Sequence, residues 1–513
     1  MPKNIIIFSD GTGQAGGINF DEARTNIYKL FRACRVGPDA SIDPHEQVCF
    51  YDAGLGSAAD GHQFKIGWMR WLYNAASQIT GLGISANIID CYAAIIRLYE
   101  DDDRIFLIGF SRGAYTVRSL AGVISFCGVP RQLPNNGDLP RDLKGSRALA
   151  ERAVKDVYQF CSSYKKNEVW RYRRFILQTR DAISLKFRDE HGSAGKDDQT
   201  ANVYPHFIGV FDTVAALGNK WLAPICLSIL IMIPVGLFHL SSVLAGHDAF
   251  WADFINDINS LLIIAAVFVC LKNYIKIAPP LPNYGVGKRL VTLHFTQFKH
   301  RFYDTTLSVN VGYAKHAVSI DENRADFARV PWSPTTEKAG KRDSDGNLYF
   351  EQVWFPGVHA DVGGGYEENG SRLSDTSLNW MLAAASIIPD GIKHDKSVLN
   401  LWPDATGPQH DEQKGGFLKK RLRPIPESQS THVSEAILHK SVYRRYAGGK
   451  VVLLDHKGEY RPRNMSNHVD LTQYYDPSNS NPQAPKDPAC IADNIEAKWE
   501  KQLNKPGKTG LKF

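Results

Sequence analysis

The chain has 513 residues, 43% hydrophobic and 22% charged, the balance of a folded protein long enough to bury a sizeable core. Its formal net charge of +6 is small for this length, and the basic residues are dispersed apart from Lys414–Arg423, so nucleic acid is not an expected partner. That basic run suits solvated surface or contact with anionic lipid headgroups. The eight cysteines are scattered without CxxC or CxxxH spacing, which fits reduced, buried thiols better than a disulfide framework or a zinc site. No metal or other cofactor is expected. Met1-Pro2-Lys3-Asn4 leads directly into a strand-like run with no recognisable signal peptide, so synthesis in the cytosol is the expectation.

Residues 4–130 alternate between strand and helix patterns. Ile5–Ser9 reads as a strand that breaks at Asp10-Gly11-Thr12-Gly13, and Thr25–Ala33 as a helix. Gln47–Tyr51 is the next strand, Ile84–Tyr99 a helix, Arg104–Ile108 a strand, and Ala114–Ser125 a helix. This alternation predicts an α/β fold: an α/β-hydrolase-like, mostly parallel sheet flanked by helices, with its site at the strands' carboxyl ends. Residues 131–200 are polar, with a helical segment at Ala148–Phe160, and read as an insertion or cap. Phe207–Phe211 and Tyr349–Phe355 are further strands and Ser374–Ile388 a helix, while 400–433 is loop-rich.

Two apolar stretches interrupt the pattern. Trp221–Leu244 is uncharged over about 24 residues, enough for a bilayer crossing, and Ile258–Leu271 adds about 14 more. Together they predict an inserted apolar helical hairpin, with Asp248, Asp253 and Asp257 in its loop and Lys220, Lys272 and Lys276 at its outer ends. The alternative is a hairpin packed on the protein itself, or a lid. The expected organisation is a first core part over 1–220, a hairpin and membrane segment over 221–277, a second core part over 278–433, and an extension of unassigned role over 434–513. Asn481–Pro488 and Lys505–Phe513 are expected to be mobile.

The chemistry centres on Gly109-Phe110-Ser111-Arg112-Gly113, which lies between a strand and a helix as a nucleophile elbow does. A serine hydroxyl is a weak nucleophile until a base removes its proton. His359, in the glycine-rich loop Gly357–Gly365, is the best base, and Asp212, at the end of Phe207–Phe211, the best orienting acid. Ser111, Asp212 and His359 stand in the chain order of an α/β-hydrolase triad. Asp361 and Asp321 are alternative acids. Oxyanion donors are expected from the Arg112 N–H and from Gly11 or Thr12. Singly, each residue has a plainer reading as a turn or capping group. A metal site from Asp10, Asp52, Asp361 and His359 is the weaker alternative, lacking an HExxH or a histidine cluster.

In combination these segments resemble the catalytic domain of the type VI secretion phospholipase effectors, first lipase class. The matching pieces are Phe8–Gly13, Thr25–Ile27, Tyr51–Gly56, Gly109–Tyr115, Val210–Val214, Ile320–Arg324 and Phe355–Tyr366. The resemblance implies an α/β-hydrolase fold, phospholipase or esterase activity on glycerophospholipids, and a triad of Ser111, Asp212 and His359. It also implies a phospholipid membrane, secretion machinery and a cognate immunity protein as partners. The implied location is membrane-associated, after synthesis in a bacterial cytoplasm, with delivery to a target cell's periplasm or membrane. The apolar pair at 221–271 and the absence of a large membrane-targeting module after about residue 430 depart from that pattern. They favour a membrane-resident lipase acting in its own cell over a secreted toxin; two further readings are a soluble esterase or thioesterase, and a non-catalytic membrane or toxin-complex component that keeps the scaffold.

Overall fold

The computed structural model describes residues 2–11, 23–53, 82–161, 171–214, 275–295, 306–322, 332–411, 434–454 and 456–504, with short pieces between 236 and 263 and between 324 and 330. Six strands form one sheet: β1 (Asn4–Ser9), β2 (Gln47–Asp52), β3 (Arg104–Phe110), β4 (Phe207–Phe211), β5 (Tyr313–Ser319) and β6 (Phe350–Phe355). The order is β2-β1-β3-β4-β5-β6, and every pairing is parallel. The chain steps outward from β1 to β2, then crosses to the other side of β1 for β3. That reversal opens a crevice at the carboxyl ends of β1 and β3, where open α/β sheets hold their sites.

Helices cover both faces, so β1, β3 and β4 are apolar over most of their length; all six residues of β1 are buried. Alternate side chains go to opposite faces. Ile5, Ile7, Ile105 and Leu107 pack with α2 (Leu82–Leu98) and α3 (Arg112–Cys127). Ile6, Phe8, Phe106 and Ile108 pack with α1 (Asn26–Cys34) and α7 (Arg372–Ile387). Thr25 caps α1 by accepting from the Tyr28 N–H at 3.1 Å. Between β3 and β4, α4 (Leu143–Arg152) and α5 (Arg171–His191) add Leu149, Ile176 and Phe187 to the first core. The expected helix at Ala148–Phe160 is the end of α4, continued by one π turn at Ala153–Val157 and a 3₁₀ turn at Tyr158–Phe160.

The spanning hairpin finds no support. Among the described residues no helix is long and apolar enough to cross a membrane. Much of the two apolar runs, including 215–235 and 264–274, lies outside the described residues; the described part is a few helical residues around 236–243 and a helical run at 253–261. The latter carries Asp253 and Asp257 among its apolar side chains, which shortens any uncharged stretch. The Lys414–Arg423 run and Lys505–Phe513 also fall outside. The free thiols of Cys34, Cys91 and Cys127 are buried, and burial pushes each above the ordinary thiol range.

The segment 434–504 is folded onto the rim of the sheet. It forms α8 (Lys440–Ala447), the hairpin β7 (Lys450–Leu453) and β8 (His456–Glu459), and α9 (Ile495–Leu503). Leu438 bridges Trp354 of β6 and Ile491, and the Trp354 N–H donates to the Ile437 carbonyl at 2.9 Å. The exposed edge of β6 is thereby covered. Leu438 is fully buried. Leu438→Ala should cost about 2–5 kcal/mol of stability in urea denaturation while keeping one cooperative transition; an unchanged midpoint would show that this segment is not part of the core.

Candidate active site

β3 ends at Phe110, and the chain turns at Ser111 with φ 57° and ψ −119° before α3 begins at Arg112. A non-glycine residue at such angles is strained, and strain of this kind is held in place only when its surroundings over-determine it. Here the Ser111 N–H donates to the Phe211 carbonyl at 3.1 Å, tying the turn to the end of β4. The second motif glycine, Gly113, passes so close to β1 that a Cβ there would lie 2.0 Å from the Ser9 carbonyl oxygen. Only glycine fits at that crossing.

Phe110 is paired with Phe211 across β3 and β4, so the next residues, Ser111 and Asp212, emerge side by side at the carboxyl edge. Asp212 is fully buried. Its Oδ2 accepts from His359 Nδ1 at 2.7 Å and from Ser319 Oγ at 2.8 Å, and its Oδ1 accepts from the Ser319 N–H at 3.0 Å. Arg329 Nε lies 3.9 Å from Oδ1. Burial pushes this carboxyl up, but the hydrogen bond and charge of His359, the Arg329 guanidinium and the Ser319 N–H together outweigh it and hold the group well below the usual carboxylate range. A carboxylate only accepts, so Nδ1 of His359 carries the proton and Nε2 is the ring's free base position. Nε2 is buried and has no hydrogen-bond partner.

His359 opens the short helix α6 (His359–Gly363), and its backbone N–H donates to Glu322 Oε2 at 3.2 Å. The Phe110 ring stacks on the imidazole at 4.6 Å and Phe327 meets it edge-on at 5.0 Å. Ser111 is 7% exposed and His359 4%. The three residues expected to act together thus share one edge of the sheet: Asp212 is bonded to His359, and the residue before Ser111 is stacked on the same ring.

A sequence-family comparison matches residues 3–232 and 280–384, well over half of the chain, to the family described as T6SS, Phospholipase effector Tle1-like, catalytic domain. The chain belongs to this family. It is also 25% identical over 447 residues to an uncharacterized protein of Saccharomyces cerevisiae, YEL023C. That match covers 78% of this chain and 58% of the yeast protein, so the chain spans little more than half the length of this relative. Two solved structures are similar at low identity. One is an uncharacterized protein from Pseudomonas aeruginosa, 14% identical with a TM-score of 0.30, covering 77% of this chain and 47% of that one. The other is the Tle1 effector bound to the VgrG spike from the Type 6 secretion system, 15% identical with a TM-score of 0.26, covering 73% and 53%.

Other residues singled out in this Tle1-like sequence are placed differently. Gly11 was expected to offer an oxyanion donor, but its N–H is bonded to Asp10 Oδ1 at 2.7 Å. Thr12 lies outside the described residues. Asp10 Oδ2 accepts from Thr25 Oγ1 and Tyr51 Oη at 2.6 and 2.7 Å, so this carboxylate anchors the turn after β1. Asp361 bonds to His410 Nδ1 at 2.7 Å and to the Val358 N–H, and Asp321 accepts from the Gly357 N–H and Tyr460 Oη. Both alternative acids shape the loop that carries His359 instead of touching its ring. Asp52 accepts from Ser9 Oγ and Asn87 Nδ2. Among the described residues, the four groups weighed for a metal do not gather. His468, Asp470 and Cys490 do lie together. However, both ring nitrogens of His468 are engaged, and Asp470 accepts from Tyr443 Oη and the N–H groups of Ala489 and Cys490.

Sequence reasoning missed Ser319, Glu322, Arg329 and His316, which surround the Asp212–His359 pair. The available signal was position: Ser319 directly precedes Ile320–Arg324, one of the segments that carry the family resemblance. His316 Nδ1 donates to Gln352 Oε1 at 3.0 Å, and its Nε2 accepts from the Thr213 N–H at 3.4 Å. Burial, then the nearby Arg118 charge, push its pKa down to about 3. An unfolded histidine takes up its proton near 6.5. Stability should therefore fall as pH drops below that value, because only the unfolded chain gains the proton until about pH 3. His316→Gln should remove about 1 kcal/mol of stability loss per pH unit between pH 6 and 4, read from urea midpoints; parallel wild-type and variant curves would contradict this.

Proposed function

We propose that the chain is a serine hydrolase that cleaves acyl esters of membrane phospholipids through Ser111, His359 and Asp212. The observation that carries the reading is the buried His359 imidazole, fixed at Nδ1 by Asp212 and unpartnered at Nε2, beside the strained turn at Ser111. Membership of the Tle1-like family supports the substrate class. Ser111 Oγ would attack the ester carbonyl carbon as His359 Nε2 takes its proton. The oxyanion would meet the Arg112 N–H at the positive end of α3. Collapse breaks the C–O bond, and His359 returns the proton to the departing lysolipid oxygen. Water then attacks the acyl-enzyme by the same route and releases the fatty acid. A membrane surface is the proposed site of action, and secretion machinery the proposed partner, on the family's description as effectors.

Incubation with phosphatidylcholine vesicles should release fatty acid, and Ser111→Ala should abolish release and fluorophosphonate labelling while leaving the melting curve unchanged. Undiminished hydrolysis by that variant would reject the assignment. Asp212→Asn should lower kcat about 10³–10⁴-fold with little change in KM, because the amide cannot hold the same tautomer.

A further inference from the structure

The proposed mechanism leaves one half-buried charge beside Asp212 unused. The Arg329 guanidinium lies over the Trp354 ring at 4.7 Å from its centroid, and Nη2 donates to the Ser319 carbonyl. The Arg329 backbone bridges to Val214, two residues beyond Asp212, which fixes where the side chain starts. Nε stands 3.9 Å from Asp212 Oδ1, is buried, and makes no hydrogen bond, so its contact with the carboxylate is Coulombic. His359 takes Oδ2 and Arg329 faces Oδ1. One carboxylate is therefore shared between a permanent cation and an imidazole that would become a cation when it accepts the serine proton.

We propose that Arg329, acting through Asp212, is a positioning residue that keeps His359 unprotonated, and so active as a base, to lower pH than an aspartate alone would. The reasoning is electrostatic. Asp212 favours the imidazolium; a guanidinium on the far side of the same carboxylate cancels part of that preference and repels the second positive charge. Ser319, donating to both carboxylate oxygens, keeps the group from swinging wholly to either partner. The other charged groups around the pair are already engaged. Glu322 of the loop after β5 is paired with Arg324, and Asp361 of α6 with His410. Behind Asp212, His316 of β5 is bonded to Gln352. Arg118 of α3 lies over Trp332 and donates to the Val330 carbonyl. Among the described residues Arg329 and His359 are the cationic side chains within ion-pair distance of Asp212.

The inference rests on the triad reading, and the test separates the two. The pH dependence of kcat/KM is measured from pH 5 to 9 on a short-chain phosphatidylcholine kept monomeric, for wild type, Arg329→Gln and Arg329→Lys. Loss of the cation should favour the protonated imidazole, so the acid limb of Arg329→Gln should move up by about 0.5–1 pH unit. Activity at pH 6 should then fall several-fold relative to that at pH 8, and Arg329→Lys should restore most of the wild-type profile. A uniform loss across pH with the limb unmoved, or no rescue by lysine, would overturn the role of Arg329 while leaving the triad standing. Wild-type protein without Ser111-dependent turnover would remove both. Arg329→Met, which keeps the stem over Trp354, replaces the glutamine variant if that does not fold; failure of both to fold would mark the residue as structural and also overturn the proposal.

Discussion

The arrangement depends on the register of three neighbouring parallel strands. Phe110, Phe211 and Ala317 are partners across β3, β4 and β5, so Ser111 and Asp212 leave the sheet at the same level while β5 runs on two residues to Ser319. Ser111 and Asp212 are neighbours for that reason, and Ser319, two residues beyond Ala317, meets the carboxylate with both its N–H and its hydroxyl. A slip of one residue would turn every side chain of a strand to the opposite face. Here such a slip would also tear Asp212 from Ser319. The two buried faces, one with Ile105 and Leu107 and the other with Phe106 and Ile108, prevent it by packing against different helices.

Much of this frame was legible because the central strands are buried on both faces and read as apolar runs bounded by glycine or aspartate. β1, β3 and β4 are of this kind. β5 was not legible, since Tyr313–Ser319 contains Lys315 and His316. Both are buried, and each faces a polar partner on β6 in register: Lys315 with Glu351 at 2.8 Å and His316 with Gln352 at 3.0 Å. Such charges are tolerated inside only as satisfied pairs, and hydropathy along one strand cannot reveal a partner some 36 residues away. The same limit hid the fold of 434–504. Its core mixes aliphatic residues with Tyr443, Tyr446, Tyr460 and Tyr474, and beside them Arg445 is fully buried against the Ala405 and Gly407 carbonyls and the Tyr460 ring. No simple period announces a cluster of that sort. Ser111, Asp212 and His359 were legible as positions at strand ends; Arg329 lies on a loop that offers no such marker.

Crowding around Phe110 explains why glycine loops from distant parts of the chain converge here. A Cβ at Gly363 would fall 1.8 Å from the Phe110 ring. The loop that carries His359 can therefore close over that ring only if position 363 has no side chain. Closure in turn lays the imidazole on Phe110 at 4.6 Å, while Asn26 of α1 donates to the Val362 carbonyl at 2.9 Å and to the Ser374 carbonyl at 3.1 Å. The aromatic residue inside the serine motif is thus a packing surface for the histidine. The orientation of the imidazole about its Asp212 bond follows from the stacking as much as from the hydrogen bond itself.

A fully buried carboxylate is costly unless its lone pairs are met, and Asp212 has three hydrogen bonds and a guanidinium to meet them. Those partners do more than offset desolvation. By holding the carboxyl below its usual range they make it a poor proton acceptor. Under the proposed mechanism the proton at Nδ1 therefore stays on His359 while Nε2 takes the one from Ser111, and Asp212 acts by its charge and its direction without ever receiving a proton. A neutral or loosely held acid at this position would still bond to the ring, yet it would neither fix the tautomer nor meet the imidazolium with a full opposing charge. Under that mechanism the geometry of the serine turn and the electrostatics of the aspartate are one constraint: the strained residue would be useful only while the imidazole proposed as its base stays aimed and unprotonated.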